Sequence, residues 1–95
     1  MTKVELLEQV KMALGNIPSH LDETINLFIE EVIEYMISAG ISSSLIDLDT
    51  DYISNKCKGC IIRGVADLWN YGNGDTKLSE YFYQRCDQLR GSDNG

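Results

Sequence analysis

The chain is poor in proline, the strongest helix breaker, and in histidine, the side chain that titrates nearest neutral pH. It has one proline, Pro18, and one histidine, His20. A single proline leaves room for long helices, because proline removes a backbone donor and clashes with the preceding turn. A single histidine framed by no motif offers no Ser/His/Asp set. Basic residues are scarce: eight Lys plus Arg stand against fifteen Asp plus Glu, a net charge of −7. That is a poor footprint for gripping nucleic acid, where affinity comes largely from neutralising phosphates. It does not exclude a surface that nucleic acid passes without sticking, since like charges repel at short range. No apolar run approaches the roughly 18–20 residues that span a bilayer, so no membrane role is expected. The opening MTKVELLEQV is charged and amphipathic rather than signal-like. Assembly in a reducing cytoplasm is expected. The three cysteines, an odd number, do not suit a disulfide framework.

What is present points to one small all-α domain. Ninety-five residues with 43% hydrophobic content make a single globular unit with a modest core. The helical domain is expected over residues 1–90, with a frayed tail at 91–95. The pattern predicts a bundle of four helices, the third one long, and no strands. Thr2 and Glu5 form a capping box for the first helix, which Gly15 and Asn16 stop. Ser19 is the expected N-cap of the second, with Asp22 and Glu23 against the positive end of its dipole. Its stripe of Leu21, Ile25, Phe28, Ile29, Val32 and Met36, widened by Ile33 and Ile37, predicts packing against more than one neighbour. Gly40 ends that helix.

Residues 41–49 read as a packed loop or short helical turn. Asp49 or Thr50 is expected to cap a third helix over about Asp51–Tyr71, where Ile53, Cys57, Cys60, Ile61, Gly64, Val65 and Leu68 recur at helical spacing. Gly59 and Gly64 suggest that a neighbouring backbone comes close. Ile62, Ala66 and Trp69 form a second stripe about 100° round that helix. Gly72-Asn73-Gly74 is a turn. Asp75 can cap a fourth helix to about Arg90, with Leu78, Phe82, Cys86 and Leu89 as its core stripe.

Several constellations invite chemistry. Cys57-Lys58-Gly59-Cys60 is a CxxC. An activated redox pair needs a thiolate at a helix N-terminus after a strand. The expected placement, two turns inside a helix with no strand before it, favours two small core residues instead. Zinc is the other chemical reading, from Cys57, Cys60, Cys86 and His20. Structural zinc sites, however, usually show two paired ligand clusters. Asp47, Asp49 and Asp51 start like an EF-hand loop. The pattern then fails at Tyr52, where glycine is needed, and at Lys58, where a bidentate glutamate is needed. Their expected role is capping before the third helix. No catalytic, cofactor-binding or metal residues are therefore expected, and no enzymatic activity.

The aromatic residues suggest binding. Trp69, Tyr71, Tyr81 and Tyr83 cluster in sequence about the turn between the last two helices, and Tyr35 lies late in the second. Tyrosine and tryptophan are enriched at protein–protein interfaces. With Ile62, these residues are the candidate interface.

The order of features resembles the small head–tail connector, or adaptor, proteins of tailed bacteriophages and prophages. The matching segments are VELLEQVKMALG, LDETINLFIEEVIEYMISAGI, IIRGVADLWNYGNGD and LSEYFYQRCDQL. The third of these closes on an aromatic-Gly-Asn turn. The two cysteines of the CxxC are not part of the resemblance. It implies a non-enzymatic virion component that forms a homo-oligomeric ring beneath the portal protein. Such a ring extends the DNA channel and docks tail-side neck proteins, while DNA passes without sequence-specific binding. Two other readings stand beside it. One is a small helical interaction or regulatory module, for which no basic recognition helix is visible. The other is a zinc or redox CxxC protein.

Overall fold

The structure, a computed structural model, describes residues 1–70 and 80–92, with main chain alone at 81 and 90–92. Four helices make up most of it: α1 (Lys3–Leu14), α2 (Asp22–Ser38), α3 (Asn55–Asn70) and α4 (Glu80–Ser92). The all-α bundle expected from the sequence is what forms. Helix α3 packs against α1, α2 and α4.

Local chemistry sets the first helix boundaries. The Thr2 hydroxyl accepts from the Glu5 N–H and the Glu5 carboxylate accepts from the Thr2 N–H, completing the capping box. Such a cap contributes about 1 kcal/mol. At the far end Gly15 takes a left-handed φ of 109°. The Asn16 and Gly15 N–H groups then donate to the Lys11 and Met12 carbonyls, which is a Schellman ending. Helix α2 ends the same way. Gly40 sits at φ 99°, and Ile41 and Gly40 donate back to Met36 and Ile37.

The start of α2 differs from expectation. Ser19 does not cap it. Ser19–Leu21 form one turn of 3-10 helix, and α2 begins at Asp22 without a side-chain cap. Pro18 leads into this tight turn, in which the Leu21 N–H donates to the Pro18 carbonyl. The Lys11 ammonium lies 2.8 Å from the Asp22 carboxylate, tying the start of α2 to α1.

The expectation of no strands is also overturned. Ile46–Asp47 (β1) and Tyr52–Ile53 (β2) pair antiparallel, with Ile46 opposite Ile53 and Asp47 opposite Tyr52. Asp51, at φ 53°, makes the left-handed step of the connection, a conformation that aspartate tolerates better than most residues. That step excludes residue 51 from a right-handed helix. The Ile53 N–H donates to the Met1 carbonyl at 2.8 Å, and the Met1 amine donates back to the Ile53 carbonyl at 2.7 Å. Helix α3 therefore starts at Asn55, about four residues later than expected. Neither Asp49 nor Thr50 caps it. The Ser54 hydroxyl accepts from the Lys56 N–H, and the Ser54 carbonyl from the Cys57 N–H.

The core runs through all of these elements. Leu6 and Val10 of α1 meet Ile25, Ile29, Val32, Ile33 and Met36 of α2, Ile61, Val65 and Leu68 of α3, and Phe82 of α4. Each fully buried aliphatic side chain contributes roughly 1.5–3 kcal/mol. Ile41, Leu45, Ile46 and Ile53 extend the core under the hairpin. Ile37, expected to widen the α2 stripe, is exposed instead. Gly64 is buried, but what comes close to it is side chain rather than backbone. A β-carbon there would lie 2.8 Å from Phe82 Cε1 and 2.9 Å from Val32 Cγ2. Gly59 is exposed and meets only the end of Arg85. Phe82 and Cys86 are the buried stripe of α4, with Leu89 packed at its edge. Helix α4 continues to Ser92, so residues 91 and 92 of the expected tail are helical. Tyr71, the Gly72–Asn73–Gly74 turn, Asp75 and Leu78 lie outside the described residues.

Candidate functional site

The expected aromatic cluster divides in two along α2. Phe28 and Tyr35 are seven residues apart, which places them on one face of that helix about 10 Å apart along its axis. At the Phe28 end the Trp69 ring stands edge-on, with centroids 6.4 Å apart and an interplanar angle of 81°. Trp69 is half-buried, as is Ile62 two turns earlier on α3, and both pack against the core. At the other end Tyr35 meets Phe82 at 5.6 Å and Tyr83 at 5.3 Å, and the latter two rings lie 5.8 Å apart. These separations suit favourable tilted and edge contacts. Phe82 is fully buried, while Tyr35 and Tyr83 are 36% and 38% exposed. The result is a small aromatic edge from two helices, standing on a buried ring. Helical spacing places Glu31 one turn before Tyr35, and Glu80 and Asp87 one turn either side of Tyr83, all exposed. Tyr71 and the Tyr81 side chain fall outside the description.

A second apolar feature carries a residue that the sequence reading passed over. Leu48 and Tyr52, on the hairpin, are 43% and 45% exposed. Leu48 joins Lys3, Glu30, Ile33 and Glu34 around a shallow cleft of about 290 Å³. Ile33 and Tyr35 are about 200° apart on α2, so this cleft and the aromatic edge lie on opposite sides of that helix. No sequence signal marks Tyr52, because a strand of two residues carries no period.

The three thiols form a buried group. Cys57 lies in the first turn of α3, close behind β2. Both halves of the expected placement, two turns inside a helix with no strand before it, are thus corrected. The position is that of an activated CxxC, but its electrostatics run the other way. A helix N-terminus favours thiolate. Burial instead pushes the Cys57 thiol up from 9.0 to about 11, and neighbouring Cys86 adds to the effect. The Cys60 thiol is raised too, first by its hydrogen bond with Cys86 and then by burial. Their sulfurs are 3.7 Å apart. His20 is exposed in the 3-10 turn. Among the described residues no group of three or more His, Cys, Asp or Glu is placed to hold a metal ion.

The raised Cys57 thiol makes stability depend on pH in the alkaline range. The folded state holds this proton more tightly than the unfolded chain does, so the contribution is complete below about pH 9. It is lost as pH rises from 9 towards 11. The expected loss is ~1–2 kcal/mol. Urea unfolding at pH 8.5 and 10.5 checks this, because the Cys57→Ala variant must show a smaller drop between the two than the parent.

The three aspartates serve α1 and the hairpin turn rather than α3. The Asp51 carboxylate accepts from the Lys3 N–H at 2.9 Å, the first residue of α1, and Asp47 accepts from the Asp49 N–H at 3.0 Å. Asp67, a buried carboxylate on α3, was not singled out from the sequence. It lies 3.5 Å from Arg63, one turn earlier. No described helix is long and apolar enough to cross a membrane. No protein family, curated protein or solved structure matches the chain.

Proposed function

We propose that this chain is a non-enzymatic structural component of a tailed-bacteriophage or prophage neck, a small head–tail connector that works in a ring. The observation that carries the reading is the exposed Tyr35–Tyr83 edge held on buried Phe82. Rigid tyrosines over a packed core are the type of residue that anchors protein interfaces. A closed ring joins subunits through a heterologous contact, so one subunit must carry two different complementary faces. The aromatic edge and the Leu48 cleft, on opposite sides of α2, supply two such faces.

Portal protein and tail-side neck proteins are the further partners. DNA passes through the ring unbound, since a chain of net charge −7 gains little by counterion release. The chain is made in the bacterial host cytoplasm and ends in the virion neck. Sedimentation over a concentration series, alone and mixed with phage portal and tail-side neck proteins, tests this. Ring-sized species are expected with the partners present. The Tyr35→Ala/Tyr83→Ala double variant should lose them while keeping its helical signal. Persistent monomer in every mixture would refute the reading.

A further inference from the structure

We propose that Cys60 and Cys86 are a latent cross-linking site, at which oxidation by a low-molecular-weight disulfide joins their sulfurs and staples α4 to α3. The geometry is specific. The two sulfurs touch at 3.7 Å across a helix–helix contact, 26 residues apart in sequence. Both side chains are buried, with 0% and 2% exposure. A disulfide needs the sulfurs at about 2.05 Å, so the pair must close by less than 2 Å. The CxxC partner, Cys57, lies on the same helix as Cys60, where a bond would tie a helix only to itself. The pair with structural leverage is therefore the one that sequence spacing conceals.

The chemistry balances as two thiol–disulfide exchanges. One cysteine thiolate attacks a sulfur of the small disulfide, forming a mixed disulfide and expelling one small thiolate. The second cysteine thiolate then attacks the protein sulfur of that mixed disulfide. The Cys60–Cys86 bond forms and a second small thiolate leaves. The two thiol protons end on the released thiolates, and the two electrons reduce one oxidant disulfide to two thiols.

Burial and the shared hydrogen bond keep the Cys60 thiol protonated. The same burial shuts out the small disulfide, so the first exchange needs a transient opening of the α3–α4 contact. The cross-link therefore forms slowly near neutral pH and faster as pH rises, because only thiolate attacks. It is a lock set by prolonged oxidising conditions, not a catalytic cycle. It also stands apart from the ring reading, since it requires only the fold of the single chain. What it fixes is α4, the helix that carries Phe82 and Tyr83.

The test uses the full chain with glutathione disulfide at pH 8.5, followed by thiol titration and peptide mapping. Free thiols are expected to fall from three to one. The mapped link should join Cys60 to Cys86, with Cys57 remaining free. The cross-linked chain should melt higher, by roughly 10 °C, because the closed loop restricts the unfolded state. Cys57→Ser should cross-link at the parent rate, and Cys86→Ser should not cross-link. A Cys57–Cys60 or Cys57–Cys86 link in the parent chain would overturn the assignment. So would three titratable thiols after prolonged oxidation, or stable glutathione adducts without an internal link. Mapping the parent chain decides the matter even where a serine variant does not fold.

Discussion

Phe82→Ala is expected to lower the unfolding free energy by about 3–5 kcal/mol. The total for a domain of this size is of order 5–15 kcal/mol, so the variant should be largely unfolded in moderate urea. Phe82 is fully buried and is the ring on which both Tyr35 and Tyr83 rest. The site cannot refill easily from α3, because the residue facing the ring is Gly64, which has no side chain to move into the space. Urea unfolding followed by circular dichroism measures the loss. A change below about 1 kcal/mol would mean that α4 is not anchored through this ring. Phe82→Leu, which keeps most of the volume, should recover a large part of the difference.

Gly64→Leu is expected to cost more than about 3 kcal/mol, the range of severe overpacking in a close-packed core. Even one added carbon would sit 2.8 Å from Phe82 Cε1 and 2.9 Å from Val32 Cγ2. Gly64→Ala sets two effects against each other. Alanine gains about 1 kcal/mol of helix propensity, and the overlap costs about 1–3 kcal/mol. A net loss of about 1 kcal/mol follows if the overlap falls midway in that range. A double-mutant cycle separates the terms. With Phe82→Ala in place the ring contact is gone while the stiff Val32 methyl at 2.9 Å remains, so Gly64→Ala should cost less than it does in the parent. If its cost is unchanged in that background, the glycine is required for a reason other than Phe82.

These residues also show what the sequence displays and what it hides. Stops at Gly15 and Gly40 and the Thr2–Glu5 box depend on short-range chemistry, so they can be read directly. The stripe from Ile25 to Met36 is periodic and equally legible. The hairpin is not, because strands of two residues carry no period. Ile53 also happens to fall in register with the helix that follows. The deciding feature there was the left-handed Asp51, whose carboxylate serves Lys3 across 48 residues. No local pattern reports such a partner. The aromatic residues were legible as a class but not as pairs. Tyr35 with Tyr83, and Trp69 with Phe28, are set by how α2 lies over α3 and α4. The Cys60–Cys86 contact is hidden for the same reason.

The pairing of Met1 with Ile53 closes a loop of 52 residues. Bringing the ends of a flexible segment of that length together costs about 3.5 kcal/mol of chain entropy before any constant. The backbone bond at about 1 kcal/mol and the charged-amine bond at about 1.5–3 kcal/mol do little more than balance it. The pairing is therefore a product of the assembled core and cannot hold α1 in place by itself. What holds it is the burial of Leu6 and Val10 in the core that Ile53 also joins. Undocking α1 releases the hairpin edge, and loosening the hairpin frees the start of α1. Two elements at distant points of the chain thus open and close as one cooperative unit.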